Sequence, residues 1–265
     1  MMRLAVAGCM GRMGQTLMQS INEKDGVTLV GGTAQADELQ GAGALKAQLN
    51  LSDDVIISSD LGEVLSQADG IIDFTTPSYT LHIAEICAKL GKVHISGTTG
   101  FNEKDSTTFA NYGKETQIVH APNMSIAVNL FMKLTEQVAS VLDDDFDIEI
   151  VEMHHRKKVD APSGTALGLG LSAAKGRGVK LDDVMHSGRD GITGERPKGE
   201  IGFATLRGGD VVGDHTVTFA GMGERLELTH KASNRSIYAT GAIRAALWAQ
   251  KQPVGYYSMN DVLGL

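Results

Sequence analysis

Cysteine is nearly absent from this chain. Cys9 and Cys87 are the only two among 265 residues. Two thiols build no disulfide framework, and such a sequence suits a reducing compartment. Proline is also scarce, with 5 residues, and aromatics make up only 5%. No apolar run approaches the length of roughly 18 residues that marks a membrane span. The opening MMRLAVAGCMGRMG holds a short apolar stretch without a long apolar core and a small-residue cleavage site, so no secretory signal is expected. A cytoplasmic protein without membrane association is the expectation. Positive charge is in deficit, 24 Lys+Arg against 32 Asp+Glu, a net charge of −8. This argues against a general nucleic-acid binder, whose footprint is a basic face, but leaves room for a local basic pocket.

Glycine, in contrast, is abundant: 32 residues, against an ordinary share of about 7%. The glycines do not fall every third residue, and 42% of the chain is hydrophobic, so collagen and low-complexity classes are excluded. Glycine excess in such a chain marks places where the backbone turns tightly or approaches something closely.

The first 125 residues alternate strand and helix patterns. Strands are expected at 4–7, 27–30, 70–74, 93–95 and 118–120, with helices at 12–21 and 78–90. Residues 34–61 give no firm assignment. This order predicts a parallel sheet covered on both faces. From Ser125 the pattern changes. A long helix to about residue 141 is followed by an alternating strand at 146–153, a helix from about 163, strands at 201–206, 211–219 and 225–230, and a last helix at 236–250. The expected fold is therefore α/β: a Rossmann-type parallel sheet domain plus an α+β C-terminal domain with a mixed, open-faced sheet. We expect residues 1–125 with 236–265 to form a dinucleotide-binding domain, and 126–235 a substrate-binding and oligomerisation domain. The pattern of the last helix alone does not place it.

Gly8-Cys9-Met10-Gly11-Arg12-Met13-Gly14 lies between the first strand and the first helix. Its spacing is G-x-x-G-x-x-G, not G-x-G-x-x-G, but the physics is shared. Glycines allow the sharp turn, the approach of backbone amides to a pyrophosphate, and close helix–sheet packing. The helix N-terminus adds N–H groups and partial positive charge. Cys9 sits where a thiol can be activated, yet no second cysteine is near, and a small packing residue is the preferred reading. At the end of the second strand, Gln35 and Ala36 stand where an acid would select NAD or an arginine NADP, and Asp37 comes slightly late. The choice between NADH and NADPH stays open. Gln35 can bond a ribose hydroxyl without repelling a 2′-phosphate. Gly97-Thr98-Thr99-Gly100 and Ala121-Pro122-Asn123-Met124 follow later strands, where ligands of open α/β sheets collect.

The most informative stretch is Glu152-Met153-His154-His155-Arg156-Lys157-Lys158-Val159-Asp160-Ala161-Pro162-Ser163-Gly164-Thr165. A basic run and a turn lead straight into a helix N-terminus, which together suit a small dianion. Histidine and lysine also handle protons near neutral pH. Adjacent histidines on an extended chain face opposite ways, and structural zinc wants cysteine or wider histidine spacing, so no metal is expected. A solvated basic loop, or a nucleic-acid contact through HHRKK, competes with this reading. The acidic total and the lack of interleaved aromatics count against nucleic acid. His82, His94, His120, His186, His215 and His230 are scattered and read as structural or surface residues. Gly208-Gly209 reads as a plain turn.

The glycine loop, Asp73-Phe74-Thr75, Gly97 to Phe101, Ala121 to Ser125, Glu152 to Thr165, Gly221 to His230 and Gly241 to Trp248 appear in the order of the bacterial 4-hydroxy-tetrahydrodipicolinate reductase (dihydrodipicolinate reductase) family. The resemblance covers essentially the whole chain, and Glu152 to Thr165 is its most specific part. It implies that His154 is the acid/base and Lys158 the other proton donor, and that His155, Gly164 and Thr165 bind substrate. It further implies that Gly8, Cys9, Met10, Gly11, Arg12, Met13, Gly97, Thr98, Thr99, Ala121, Pro122, Asn123 and Met124 hold NADH or NADPH. The implied reaction reduces a small cyclic dicarboxylate, with loss of water, on the diaminopimelate and lysine route, in a homotetramer. Two other readings compete: an amino-acid or sugar dehydrogenase of the same two-domain plan, and a nucleotide-sensing regulator.

Overall fold

The computed structural model describes all residues, Met1–Leu265. Along the chain run β1 (Met2–Val6), α1 (Arg12–Asn22), β2 (Val27–Thr33), α2 (Ala42–Gln48), β3 (Ile56–Ser58), α3 (Leu61–Gln67), β4 (Gly70–Asp73), α4 (Pro77–Leu90), β5 (Val93–Ser96), α5 (Glu103–Tyr112) and β6 (Gln117–His120). Then come α6 (Ile126–Val141), β7 (Asp147–His154), α7 (Gly164–Arg177), α8 (Leu181–Val184), β8 (Met185–Ser187), β9 (Ile201–Arg207), β10 (Gly213–Gly221) and β11 (Glu224–Ala232). The chain closes with α9 (Ser236–Ala249), β12 (Gly255–Tyr257) and α10 (Met259–Leu263). It divides into two compact units, Met1–Ile126 with Arg235–Gly264, and Ala127–Asn234 with Leu265.

The first unit holds a seven-stranded parallel sheet in the order β12-β6-β5-β4-β1-β2-β3. Strand β1 shows why it is doubly wound. Leu4 and Val6 pack into one cluster with Leu17 and Ile21 of α1 and Ala242, Ile243 and Ala246 of α9. Ala5 belongs to a second cluster with Val64 and Leu65 of α3 and Ile83 and Cys87 of α4. Alternation along one strand thus feeds both faces, which is what a buried parallel sheet requires. The order reverses between β1 and β4, where crossovers leave in opposite directions, so the crevice for a ligand opens at their carboxyl ends.

The second unit holds a five-stranded sheet, β11-β10-β7-β9-β8. Strand β10 pairs antiparallel with β7 and β11, while β9 pairs parallel with β7 and β8. Ile148, Ile150, Phe203, Val217 and Phe219 form the buried face against Ala166, Leu169 and Ala173 of α7. The opposite face carries exposed Val151 and Leu206. This is the mixed, open-faced sheet expected from the alternation of Ile148 and Ile150 with charged residues. Several short elements escape the sequence patterns: α2 and β3 within residues 34–61, the helix α5, the pair α8 and β8, and the terminal β12 and α10. No helix is long and apolar enough to cross a membrane.

Candidate functional site

The glycine loop is built as a cradle. Gly11 N–H donates to Gly8 O at 3.1 Å, and Gln15 Nε2 donates to Met10 O at 2.9 Å. A Cβ on Gly14 would stand 2.2 Å from Gly8 O and 2.6 Å from Cys9 Cα, so only glycine lets α1 approach the loop. Gly11 caps α1 without a side-chain bond, and no acid stands in the first turn. Such an end keeps its positive dipole for an anion. Cys9 is wholly buried, and burial pushes its thiol up to about 11. The protonated, enclosed thiol fits the packing reading. A nicotinamide dinucleotide fits these residues: a tight glycine loop, an uncapped helix start and a parallel-sheet switch point coincide.

At the end of β2, Gln35 is exposed, as are Ala36 and Asp37. Glu38, which the sequence reading passed over, folds its carboxylate back onto Gln35 N–H at 3.0 Å. A carboxylate therefore does stand at this strand end, three positions beyond where the pattern would seek it. Its only signal was the turn that leads into the following short helix.

Behind the later loops lies a buried polar hub. Asp73 closes β4 with no exposure. Its Oδ1 accepts from Thr75 N–H at 2.9 Å and Thr75 Oγ1 at 2.6 Å; its Oδ2 accepts from Thr80 Oγ1 at 2.5 Å. Thr98 Oγ1 stands 3.4 Å from the same carboxylate and accepts from Thr75 N–H at 3.0 Å. Burial alone would raise the Asp73 carboxyl; hydrogen bonds from His94, Thr75 and Thr80 outweigh it and hold the group below the usual carboxylate range. His120 Nε2 donates to Thr98 O at 3.1 Å, and its Nδ1 meets Tyr256 Oη at 2.8 Å. Gly97 carries Phe74 against its Cα, where a Cβ would meet the ring at 2.3 Å. The 73–76 and 97–100 loops are therefore one structure, tied at Thr75 and Thr98. Asn123 Oδ1 accepts from Ser125 N–H at 2.8 Å and shapes the 121–124 turn.

In the second unit, strand alternation puts Glu152 and His154 on one buried face of β7. His154 Nδ1 lies 2.5 Å from Glu152 Oε2. A carboxylate only accepts, so Nδ1 carries the hydrogen and Nε2 is the other working nitrogen. Glu152 Oε1 also accepts from Ser163 N–H at 3.1 Å. Burial pushes the Glu152 carboxyl up, but Arg207 and His154 overcome this and hold it below its ordinary range. His155, just past the strand, is half-buried, and Arg156 and Lys157 are exposed. Lys158 Nζ pairs with Asp160 at 2.8 Å. Ser163 caps α7, its Oγ accepting from Ala166 N–H at 3.2 Å. Gly164 and Thr165 form the first turn of that helix, and Gly164 is exposed.

Two groups at this cluster had no sequence signal. His215, which the sequence reading treated as scattered, lies across from Glu152 in the β7–β10 register. Its ring stands 5.1 Å from that of His154, and its Nε2 is 3.0 Å from Ser163 Oγ. Burial, with His154 beside it, drives His215 down to about 4, so it is neutral at physiological pH. The turn Gly208-Gly209 is also more than a reversal. Gly208 N–H donates to His154 O at 2.9 Å, and Gly209 O accepts from Arg156 N–H at 3.3 Å. Strand pairing brings both features in, and pairing is not visible along a single sequence.

Family models and curated relatives point to one family. Residues 2–124 match "Dihydrodipicolinate reductase, N-terminus", and residues 127–263 match "Dihydrodipicolinate reductase, C-terminus". The chain is 52% identical over 265 residues to the 4-hydroxy-tetrahydrodipicolinate reductase of Rhodopseudomonas palustris (strain BisA53), covering 100% of this chain and 97% of that protein. It is 48% identical over 269 residues to the protein of the same name from Roseobacter denitrificans, again covering 100% and 97%. Among solved structures, the dipicolinate-bound dihydrodipicolinate reductase from Paenisporosarcina sp. TG-14 shares the fold, with a TM-score of 0.78 at 24% identity over 97% of each chain. Glycine cradle, buried hubs and the Glu152 to Thr165 stretch thus occur in a chain that belongs to the dihydrodipicolinate reductase family.

Proposed function

We propose that this chain reduces 4-hydroxy-tetrahydrodipicolinate to tetrahydrodipicolinate, with loss of water and oxidation of NADH or NADPH, on the diaminopimelate and lysine route. The observation that carries it is the folded Glu152 to Thr165 stretch: an oriented imidazole, a lysine and the start of α7 in one short segment. Its family membership, with relatives near 50% identity along the full chain, supports the same reading.

When bound, a reduced nicotinamide supplies a hydride. We assign the nucleotide to the first unit, held by Gly8 to Met13, Gln35, Gly97 to Thr99 and Ala121 to Met124. We assign the substrate to the second unit. His155 and the first-turn amides of Gly164 and Thr165 orient the carboxylates, which lowers the entropic barrier and stabilises charge. Loss of the hydroxyl as water generates a conjugated acceptor. Hydride addition there leaves an electron-rich carbon that must take a proton. His154 or Lys158 delivers it, with Glu152 holding His154 in the Nδ1–H form. We further infer a homotetramer, assembled through the second unit, and a cytoplasmic location.

The test is a coupled assay: the purified product of the preceding synthase is supplied with NADH and NADPH side by side. Nucleotide oxidation that depends on that product is expected, with dipicolinate as a competitive inhibitor. Turnover of a sugar or amino-acid substrate instead, with none on the synthase product, would establish the rival dehydrogenase reading.

A further inference from the structure

Arg207 has no part in the reaction as described above, yet it sits where both proton donors are held. It closes β9 and lies opposite His154 in the parallel β7–β9 register. Its guanidinium grips the Glu152 carboxylate as a fork, Nη1 to Oε2 at 2.9 Å and Nη2 to Oε1 at 3.0 Å. Nη2 also donates to Asp160 O at 2.6 Å, and Nη1 to Leu206 O at 2.7 Å. Each of the two ends leads to a proton donor. Glu152 receives His154 Nδ1–H and the Ser163 N–H that begins the cap of α7. Asp160 receives Lys158 Nζ.

We propose that Arg207 is a positioning residue for both donors, acting through Glu152 on His154 and through the Asp160 backbone on Lys158. This rests on the reading of His154 and Lys158 as the proton donors. The physical need is clear at Glu152. It is 1% exposed, and a buried carboxylate requires several fixed donors. His154 and Ser163 N–H supply two, and Thr205 Oγ1 a third, longer one at 3.4 Å. A planar guanidinium adds two parallel bonds and fixes the carboxylate plane, which a lysine point charge does not do. With that plane fixed, the imidazole has one ring orientation. With Asp160 O pinned, the loop from His155 to Pro162 has a fixed anchor beside the donor lysine.

The test pairs kinetics with spectroscopy on the full chain. Arg207→Ala is expected to lower kcat about 100-fold while the dissociation constant for the nucleotide stays within about twofold, since misplacing a reacting group by ~1 Å costs rate on this scale. In a His154→Ala background the same substitution should cost less than about tenfold, because residues that act as a unit are not additive. An undiminished penalty in that background, or a single variant with kcat near that of the parent, overturns the proposal. Should Arg207→Ala not fold, Arg207→Lys carries the test: it keeps the charge and loses the fork, so kcat must still fall, and parental kcat rejects the idea. Independently of activity, nitrogen-15 spectra of labelled histidine should show the bonded Nδ1–H of His154 in the parent and its loss in the Arg207 variant. An unchanged signal counts against Arg207 even if the parent turns over. A parent inactive on the synthase product refutes the functional reading alone, and the spectra still decide the role of Arg207.

Discussion

Each unit buries one carboxylate at the end of a strand, and the two are served in different ways. Asp73 ends β4 among the Thr75, Thr80 and Thr98 hydroxyls and the Thr75 amide, with His94 Nε2 at 3.4 Å. Glu152, two residues from the end of β7, is gripped by a guanidinium and donates orientation to an imidazole. Hydroxyls and amides are neutral and short. They tie loops together, and the Asp73 hub accordingly joins the 73–76 and 97–100 loops into one surface. At Glu152 the donors include a charged guanidinium in a two-bond fork, and the hub holds the His154 imidazole in one orientation; Asp73 has an imidazole too, but at 3.4 Å and beside shorter hydroxyl bonds. Equal burial of an acid therefore says little about its job; the chemistry of its donors says more.

The largest effect is expected in the second unit. Lys158→Ala should lower kcat by about 100-fold or more, the scale of a lost general acid, with nucleotide affinity kept. Stopped-flow turnover and nucleotide titration would check it, and unchanged turnover would remove Lys158 from its role. A smaller and different effect is expected in the first unit. Asp73→Asn should destabilise the fold by about 2 kcal/mol through its charged hydrogen bonds, and should weaken nucleotide binding more than it lowers kcat. The pH sign follows from the depressed Asp73 carboxyl. Its contribution is present above the ordinary carboxylate value and is lost as pH falls through the folded one. The stability gap between parent and variant should therefore be widest at neutral pH and narrow below about pH 4, as followed by denaturant unfolding. The smallest effect belongs to Cys9, enclosed beside the cradle. Cys9→Ala should cost about 1 kcal/mol of packing. The native thiol should resist thiol reagents, because burial holds it protonated. Rapid modification of Cys9 in the folded protein, with loss of nucleotide binding, would show an open and functional thiol instead.

How far the sequence could be read depended on the kind of signal each element carries. Helix α1 declares itself by the four-residue spacing of Met13, Leu17 and Ile21, and α7 by Ser163 before its first turn. Helix α5 has a single buried residue, Phe109, and so no apolar stripe. Its evidence is chemical: Asn102 caps Asp105 N–H, and Glu103 and Asp105 stand in its first turn. Strands β3, β8 and β12 have three residues each, too few for a period to repeat. At the site, the motif residues Glu152 to Thr165 were legible because they are contiguous. His215, Arg207 and Glu38 were not, since the first two arrive through strand pairing and the third through a turn.

By itself, then, the sequence determined the class of fold, the glycine cradle and the contiguous Glu152 to Thr165 segment. Those are local matters: periodicity, turn chemistry and residues adjacent along the chain. Only the tertiary structure decided what serves each buried acid. Hydrogen-bond partners of Asp73 lie up to 25 positions away, and those of Glu152 up to 55. A carboxylate taken out of water must find its donors in space, and distance along the chain carries no information about which strand will bring them.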